Sequence, residues 1–303
     1  MTEAYRYCEW ITYHHYENFP VASWLLPKPK RPFIAAIYAF ARSADDFADE
    51  EKYQGRSLEL LNAWKTALWA ATSNDPQAAC STDGVPTGHP IFIALADAIR
   101  RCHLPPQLLA DLLTAFTMDV TKQRYASWEE LLTYCRYSAN PVGRLVLTVF
   151  GVEDPALHEL SDQICTGLQL ANHWQDLSID LLRKDRLYIP LDLMARHGVT
   201  VEDLKNLAVR AEPVEARPMS SFDKLRMTGL MAELVERSRA IFDAGEPLLN
   251  RVSGRLRLEL KLTLLGGRAI LDRIEAADYD VFRRRPVLST PAKLNLLAHA
   301  LLP

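Results

Sequence analysis

Glycine is scarce in this chain, 12 among 303 residues, and runs of alternating apolar and polar residues are nearly missing. Together these absences exclude a sheet-rich fold, whose half-buried strands need that alternation and whose tight turns draw on glycine. Cysteine is also sparse. Cys8, Cys80, Cys102, Cys135 and Cys165 are odd in number, scattered, and never form a CxxC pair. This argues against a disulfide framework and predicts reduced thiols in a cytoplasmic protein. A net charge of −3 and a pI near 6.3 leave no electrostatic footprint for nucleic acid. Any phosphate binding must therefore be local. No GxGxxG fingerprint marks a dinucleotide fold. Met1 to Trp10 is polar, with Glu3, Arg6 and Glu9, and does not resemble a signal peptide. Apolar runs such as PVGRLVLTVFGV are short and interrupted, here by Arg144, so no bilayer span is expected.

What the chain does have is helical periodicity in a sequence that is 49% hydrophobic, enough to bury a large core. The reading is all-α and a single domain. Helices are expected over about 5–17, 32–51, 57–73, 90–101, 105–121, 127–137, 140–150, 155–182, 190–196, 230–250, 254–277 and 290–301. Pro27, Pro29 and Pro32 stop and restart helices, and SNDPQAACSTDGVPTGHP is a loop of turn formers. One stretch, AEPVEARPMSSFDKLRMTG at about 211–229, loses the apolar period and carries Pro213, Pro218 and Gly229. It reads as a mobile inserted surface loop with no catalytic role.

Two carboxylate pairs share a four-residue spacing: Asp45 with Asp49, and Asp176 with Asp180. Residues four apart share a helix face, so each pair can present two carboxylates to one point while the helix stays regular. Ile34, Tyr38 and Ala41 lie on the row that continues through Asp45 and Asp49, which predicts that those acids prolong an inward stripe. Gln169, Asn172, Asp176 and Asp180 make a second polar row. A lone acidic pair is often only a solvated helix end. Two pairs on apolar helices demand positive charge, because burying carboxylates without it costs several kcal/mol each, roughly. Hard oxygen donors point to Mg²⁺ with a diphosphate rather than to zinc.

The segments HHYENFPVAS, YAFARSADDFADE, QLANHWQDLSIDLLRKDRLYIP and YDVFRRRP occur in the order and approximate spacing of the squalene/phytoene synthase family of head-to-head prenyl transferases, and the likeness runs over roughly residues 14–290. Within that family, HYENFPVAS with NHWQD resembles most the hydroxysqualene-forming branch of hopanoid biosynthesis. The resemblance implies an isoprenoid synthase helical bundle around a central cavity. It places Asp45 and Asp49 in a first aspartate-rich motif, and Asn172, Asp176 and Asp180 in a second, both holding Mg²⁺ for the departing diphosphate. It further implies presqualene diphosphate as substrate, water as the terminating nucleophile, and peripheral membrane contact for a water-insoluble product. Presqualene diphosphate synthase, squalene synthase and phytoene synthase share the same aspartates. A silent helical lipid-binding scaffold is the reading outside enzymes.

Further candidates each carry two readings. Arg42, one turn before Asp45, can contact diphosphate or pair with Asp45 or Asp46. His15 stands near the diphosphate or in the core. By resemblance Tyr125 matches a tyrosine near the reacting centre, where its ring stabilises positive charge or its hydroxyl holds water; packing is the alternative. Arg124 and one of Arg283, Arg284 and Arg285, with Arg284 chosen, are further diphosphate candidates, although a basic run is often a solvated helix end. Gln169 is assigned to diphosphate, and its neutral amide can also orient water without quenching a carbocation. Gln175, where many relatives carry arginine, can orient the water, or the swap can mark a tolerant surface position. Asn140 to Gly143 matches a small-residue helix break. Phe19, Phe33, Phe40 and Phe47 line an isoprenoid tunnel or pack the core.

Overall fold

Proline starts the helices of this protein where its missing N–H costs nothing and its fixed φ suits the first turn. In the computed structural model, which describes residues 1–14, 25–73, 88–210, 221–283 and 285–301, Pro32 opens α2 (Arg31–Asp49), after α1 (Thr2–His14), and Pro90 opens α4 (Pro90–Cys102), after α3 (Ser57–Thr72). Pro106 begins α5 (Pro106–Thr121); Pro141 lies in the first turn of α7 (Asn140–Val149), after α6 (Trp128–Ser138). Pro155 begins α8 (Pro155–Gln175). There follow α9 (Leu177–Lys184), α10 (Leu191–Arg196), α11 (Val201–Arg210), α12 (Ser221–Gly245), α13 (Gly254–Ala276) and α14 (Thr290–Leu301). Among the described residues there is no strand, only an isolated bridge between Arg124 and Leu187. The fold is all-α. No described helix is long and apolar enough to cross a membrane.

The chain divides into two compact units. The first comprises residues 1–121, 137–161 and 253–259. At its centre lies α2, packed on α1, α3, α4, α5 and α7. Phe40 is fully buried, stacked on Trp64, whose indole N–H donates to the Phe40 carbonyl at 3.2 Å. Phe33 is buried against Tyr5, and Phe47 packs on Tyr53 and Trp64. For these three rings the structure shows core packing. Phe19 lies outside the described residues.

The second unit comprises residues 122–136, 162–252 and 260–303. Phe242 of α12 is its pivot. The ring lies so close to Gly167 of α8 and Gly267 of α13 that a Cβ on either would come within 2.8 Å and 2.5 Å of ring carbons. Only hydrogen fits at these two positions. Beside it, the buried Trp174 donates to Ser238 Oγ at 2.9 Å, and that hydroxyl donates to the Leu234 carbonyl at 2.8 Å.

The helix expected over 155–182 is broken at Asp176, whose φ of −102° and ψ of 9° end α8 and start α9. The stretch expected as an inserted loop over 211–229 is helical from Ser221 onward, with Met227 buried; residues 211–220 lie outside the described residues. Its apolar period is weak because α12 is a long helix with buried and charged residues distributed around it. The sequence reading also passed over α11, which opens with a reciprocal cap. Thr200 N–H donates to Asp203 Oδ2 at 2.9 Å, and Asp203 N–H donates to Thr200 Oγ1 at 3.1 Å.

Candidate active site

In the first unit the row on α2 runs from Ile34 and Tyr38, both buried, through the partly buried Ala41 to Asp45 and Asp49, which are half-buried. The acids do prolong the core-facing row. Arg42 spans their neighbours, Nη1 at 3.3 Å from Asp45 Oδ2 and Nη2 at 2.6 Å from Asp46 Oδ1. Of its two readings, ion pairing within the helix is the one the structure shows, and it leaves the guanidinium beside Asp45. His15 and most of the HHYENFPVAS motif, residues 15–23, lie outside the described residues.

In the second unit the break at Asp176 does not disturb the four-residue spacing. Asp176 N–H donates to the Asn172 carbonyl at 2.9 Å, and Asp180 N–H donates to the Asp176 carbonyl at 2.9 Å. One ladder of backbone hydrogen bonds therefore strings the three polar residues together. After Asp180 the helix closes: Asp185, at φ 49°, and Arg186 both return their N–H groups to the Asp180 carbonyl. Asn172 is exposed and Asp176 and Asp180 are half-buried, so the row opens to water rather than lying wholly inward.

Cations already meet this row. Arg285 donates Nε to Asp176 Oδ1 and Nη2 to Asp176 Oδ2 at 3.1 Å, a two-pronged contact. That hydrogen bonding, with the charges of Asp176 and Asp180, holds the Arg285 guanidinium above its usual pKa against the opposing effect of burial. Lys184 Nζ lies 3.8 Å from Asp180 Oδ1. Arg283 instead pairs with Asp280 at 3.6 Å, and Arg284 lies outside the described residues. Sequence spacing could not choose among the three arginines. After α13 the backbone passes through the left-handed region at Asp278 and Tyr279, at φ 52° and 61°.

Gln175 is 2% exposed and donates its amide to the Pro286 carbonyl. The surface reading of this position is overturned: it lies in the interior, next to Trp174. Gln169 lies 3.3 Å from His173, amide nitrogen to Nε2, one turn along α8.

Tyr125 is also buried. Its ring stacks on Tyr188 at 5.6 Å, meets Tyr134 edge-on at 5.6 Å, and receives Lys122 Nζ at 4.8 Å from its centroid. The backbone fixes it in place, since Leu187 N–H donates to Gln123 and Leu191 N–H to the Tyr125 carbonyl, both at 2.9 Å. Tyr134 and Tyr188 also surround His173, whose imidazole stacks on Tyr188 at 3.7 Å. Burial, helped by the charge of Lys184, pushes the His173 pKa down to about 3. The imidazole is neutral at physiological pH. Sequence reasoning missed His173, Tyr134 and Tyr188, because a histidine between asparagine and tryptophan in a helix carries no spacing signal. Arg124 holds the carbonyl and the carboxylate of Asp185.

Among the described residues no group of three or more His, Cys, Asp or Glu side chains converges as a metal cage. The donor set of each row is one or two carboxylates, joined in the second by an amide oxygen. That set suits Mg²⁺, which keeps waters and takes its remaining ligands from substrate phosphates, and does not suit zinc.

The squalene/phytoene synthase family model matches residues 12–292. The hydroxysqualene synthase of Sinorhizobium fredii is 35% identical, covering 94% of this chain and 87% of its own length. The hydroxysqualene synthase of Rhodopseudomonas palustris is 37% identical, covering 79% and 84%. The crystal structure of squalene synthase HpnC from Alicyclobacillus acidocaldarius superposes with a TM-score of 0.77 at 37% identity, covering 91% of this chain and 95% of that one.

Proposed function

From the premise that the chain belongs to the squalene/phytoene synthase family of isoprenoid-processing enzymes, we propose that it converts presqualene diphosphate and water to hydroxysqualene and diphosphate, with Mg²⁺. The observation that carries the reading is the row Asn172–Asp176–Asp180 on one ladder with Arg285 against Asp176, in a chain similar to two hydroxysqualene synthases.

The substrate's C–O bond must break heterolytically, its electron pair leaving on the diphosphate. That step is slow unless the departing charge is neutralised. Asp45, Asp49, Asn172, Asp176 and Asp180 would hold Mg²⁺, which when bound supplies Lewis acidity to the diphosphate oxygens. Arg42, placed beside Asp45, adds positive charge that needs no proton transfer. The carbocation rearranges, a water oxygen bonds to it, and the surplus proton passes to solvent. The ring of Tyr125 offers a π-face to positive charge, as the position of Lys122 over it illustrates.

The similarity to the Alicyclobacillus squalene synthase favours a second reading in which hydride rather than water ends the reaction. Purified protein is given presqualene diphosphate and Mg²⁺, with and without NADPH, and the products are identified by mass. Hydroxysqualene in both samples supports the proposal. Squalene that appears only with NADPH replaces it with the second reading, and farnesyl diphosphate consumed to presqualene diphosphate moves the enzyme one step earlier.

A further inference from the structure

The side chains of two consecutive residues, Gln175 and Asp176, are both held by two consecutive residues of the segment after α13. Gln175 Nε2 donates to the Pro286 carbonyl, and Arg285 grips both oxygens of Asp176. We propose that these contacts form a two-point clasp in which Gln175 anchors residues 285–289 so that Arg285 guards Asp176 against a divalent cation until a diphosphate draws the guanidinium away. The inference rests on the Mg²⁺ and diphosphate reading above and assigns Gln175 a positioning role in it, in place of orienting water.

Three features of the structure support the clasp. Gln175 is 2% exposed, so its hydrogen bond to the Pro286 carbonyl is shielded from competing water and is worth more than a surface contact. Its other polar atom, Oε1, is buried with no hydrogen-bond partner, so the side chain is held in the interior by the single bond to Pro286. Between α13 and the clasp, Asp278 and Tyr279 lie one after the other in the left-handed region, which L side chains enter at a cost.

A guanidinium on both oxygens of a carboxylate competes directly with a metal for the same lone pairs. It is also the side chain best shaped to move onto a diphosphate. The clasp therefore makes cation and diphosphate binding mutually dependent: Mg²⁺ alone must displace Arg285, whereas Mg²⁺ with diphosphate gives Arg285 a new partner. Such a coupling has a sign that a merely structural role does not produce.

The test is calorimetry on the full chain with Mg²⁺ alone, and with inorganic diphosphate at saturating Mg²⁺. Arg285→Ala and Gln175→Met are compared with the parent, and their folding is checked by circular dichroism. Arg285→Lys keeps the charge without the two-pronged grip and serves if the alanine variant does not fold. Expected is a Kd for Mg²⁺ alone that tightens by about fivefold or more in Arg285→Ala, and by less in Gln175→Met. In the same variants the Kd for diphosphate weakens. Adding Gln175→Met to Arg285→Ala changes little, because both act through one contact. Mg²⁺ affinity that is unchanged or weaker in Arg285→Ala overturns the clasp, as does full additivity of the two variants. A parent that takes up neither Mg²⁺ nor diphosphate overturns the underlying reading as well, and so separates the two failures.

Discussion

The imidazole of His173 lies face to face with the ring of Tyr188, centroids 3.7 Å apart and planes within 15°. Fully enclosed, the imidazole cannot be charged without loss of solvation, and its pKa falls from 6.5 to about 3. Between those values the unfolded chain binds a proton that the folded chain refuses. Stability from this group is therefore intact above about pH 6.5 and erodes as the pH falls toward 3, by up to roughly 1.4 kcal/mol per pH unit. Melting temperature followed from pH 7 to 4 without metal should fall more steeply in the parent than in His173→Phe. Equal slopes would show that another group sets the acid sensitivity.

Gly267 has no room for a methyl group. Its Cβ would meet Phe242 Cζ at 2.5 Å and Leu168 Cδ2 at 2.9 Å. Gly267→Ala should cost about 1–3 kcal/mol through overpacking, read as a lower urea midpoint with unchanged slope. Pairing it with Phe242→Leu should recover part of the loss. No recovery would place the strain elsewhere.

Arg42 is half-buried and bridges two carboxylates of its own helix. Partly exposed pairs of this kind contribute about 0–1 kcal/mol to folding. Arg42→Gln should thus melt near the parent while diphosphate binding at saturating Mg²⁺ weakens about tenfold, the value of one charge-assisted contact. A large loss of stability with unchanged diphosphate affinity would assign Arg42 to structure alone.

The all-α class was legible because proline and the 3.6-residue period act locally, and α14 and the starts of α3, α4, α7, α8 and α13 fall where the sequence placed them. α11 was legible in principle, since Thr200 and Asp203 spell out a capping box and Val201, Leu204, Leu207 and Ala208 recur at helical spacing. The break at Asp176 was hidden, because a residue can leave helical geometry while its peptide groups keep the four-residue ladder. Arg285 was hidden for a different reason. It meets Asp176 across 109 positions of chain, and no local spacing brings the two together. The aromatic surroundings of His173 come from Tyr134 and Tyr188, on other segments of the chain, and no spacing rule brings them together.

In the proposed reaction acidic side chains carry divalent metal to a leaving diphosphate, and diphosphate release from presqualene diphosphate measures that step itself. Release should stop when EDTA removes the metal and return with Mg²⁺. At saturating Mg²⁺ it should fall at least about a hundredfold in Asp45→Asn and in Asp176→Asn, as for loss of a major electrostatic contact to the transition state. A double variant that releases diphosphate as fast as the parent, or release that survives complete chelation, would contradict it.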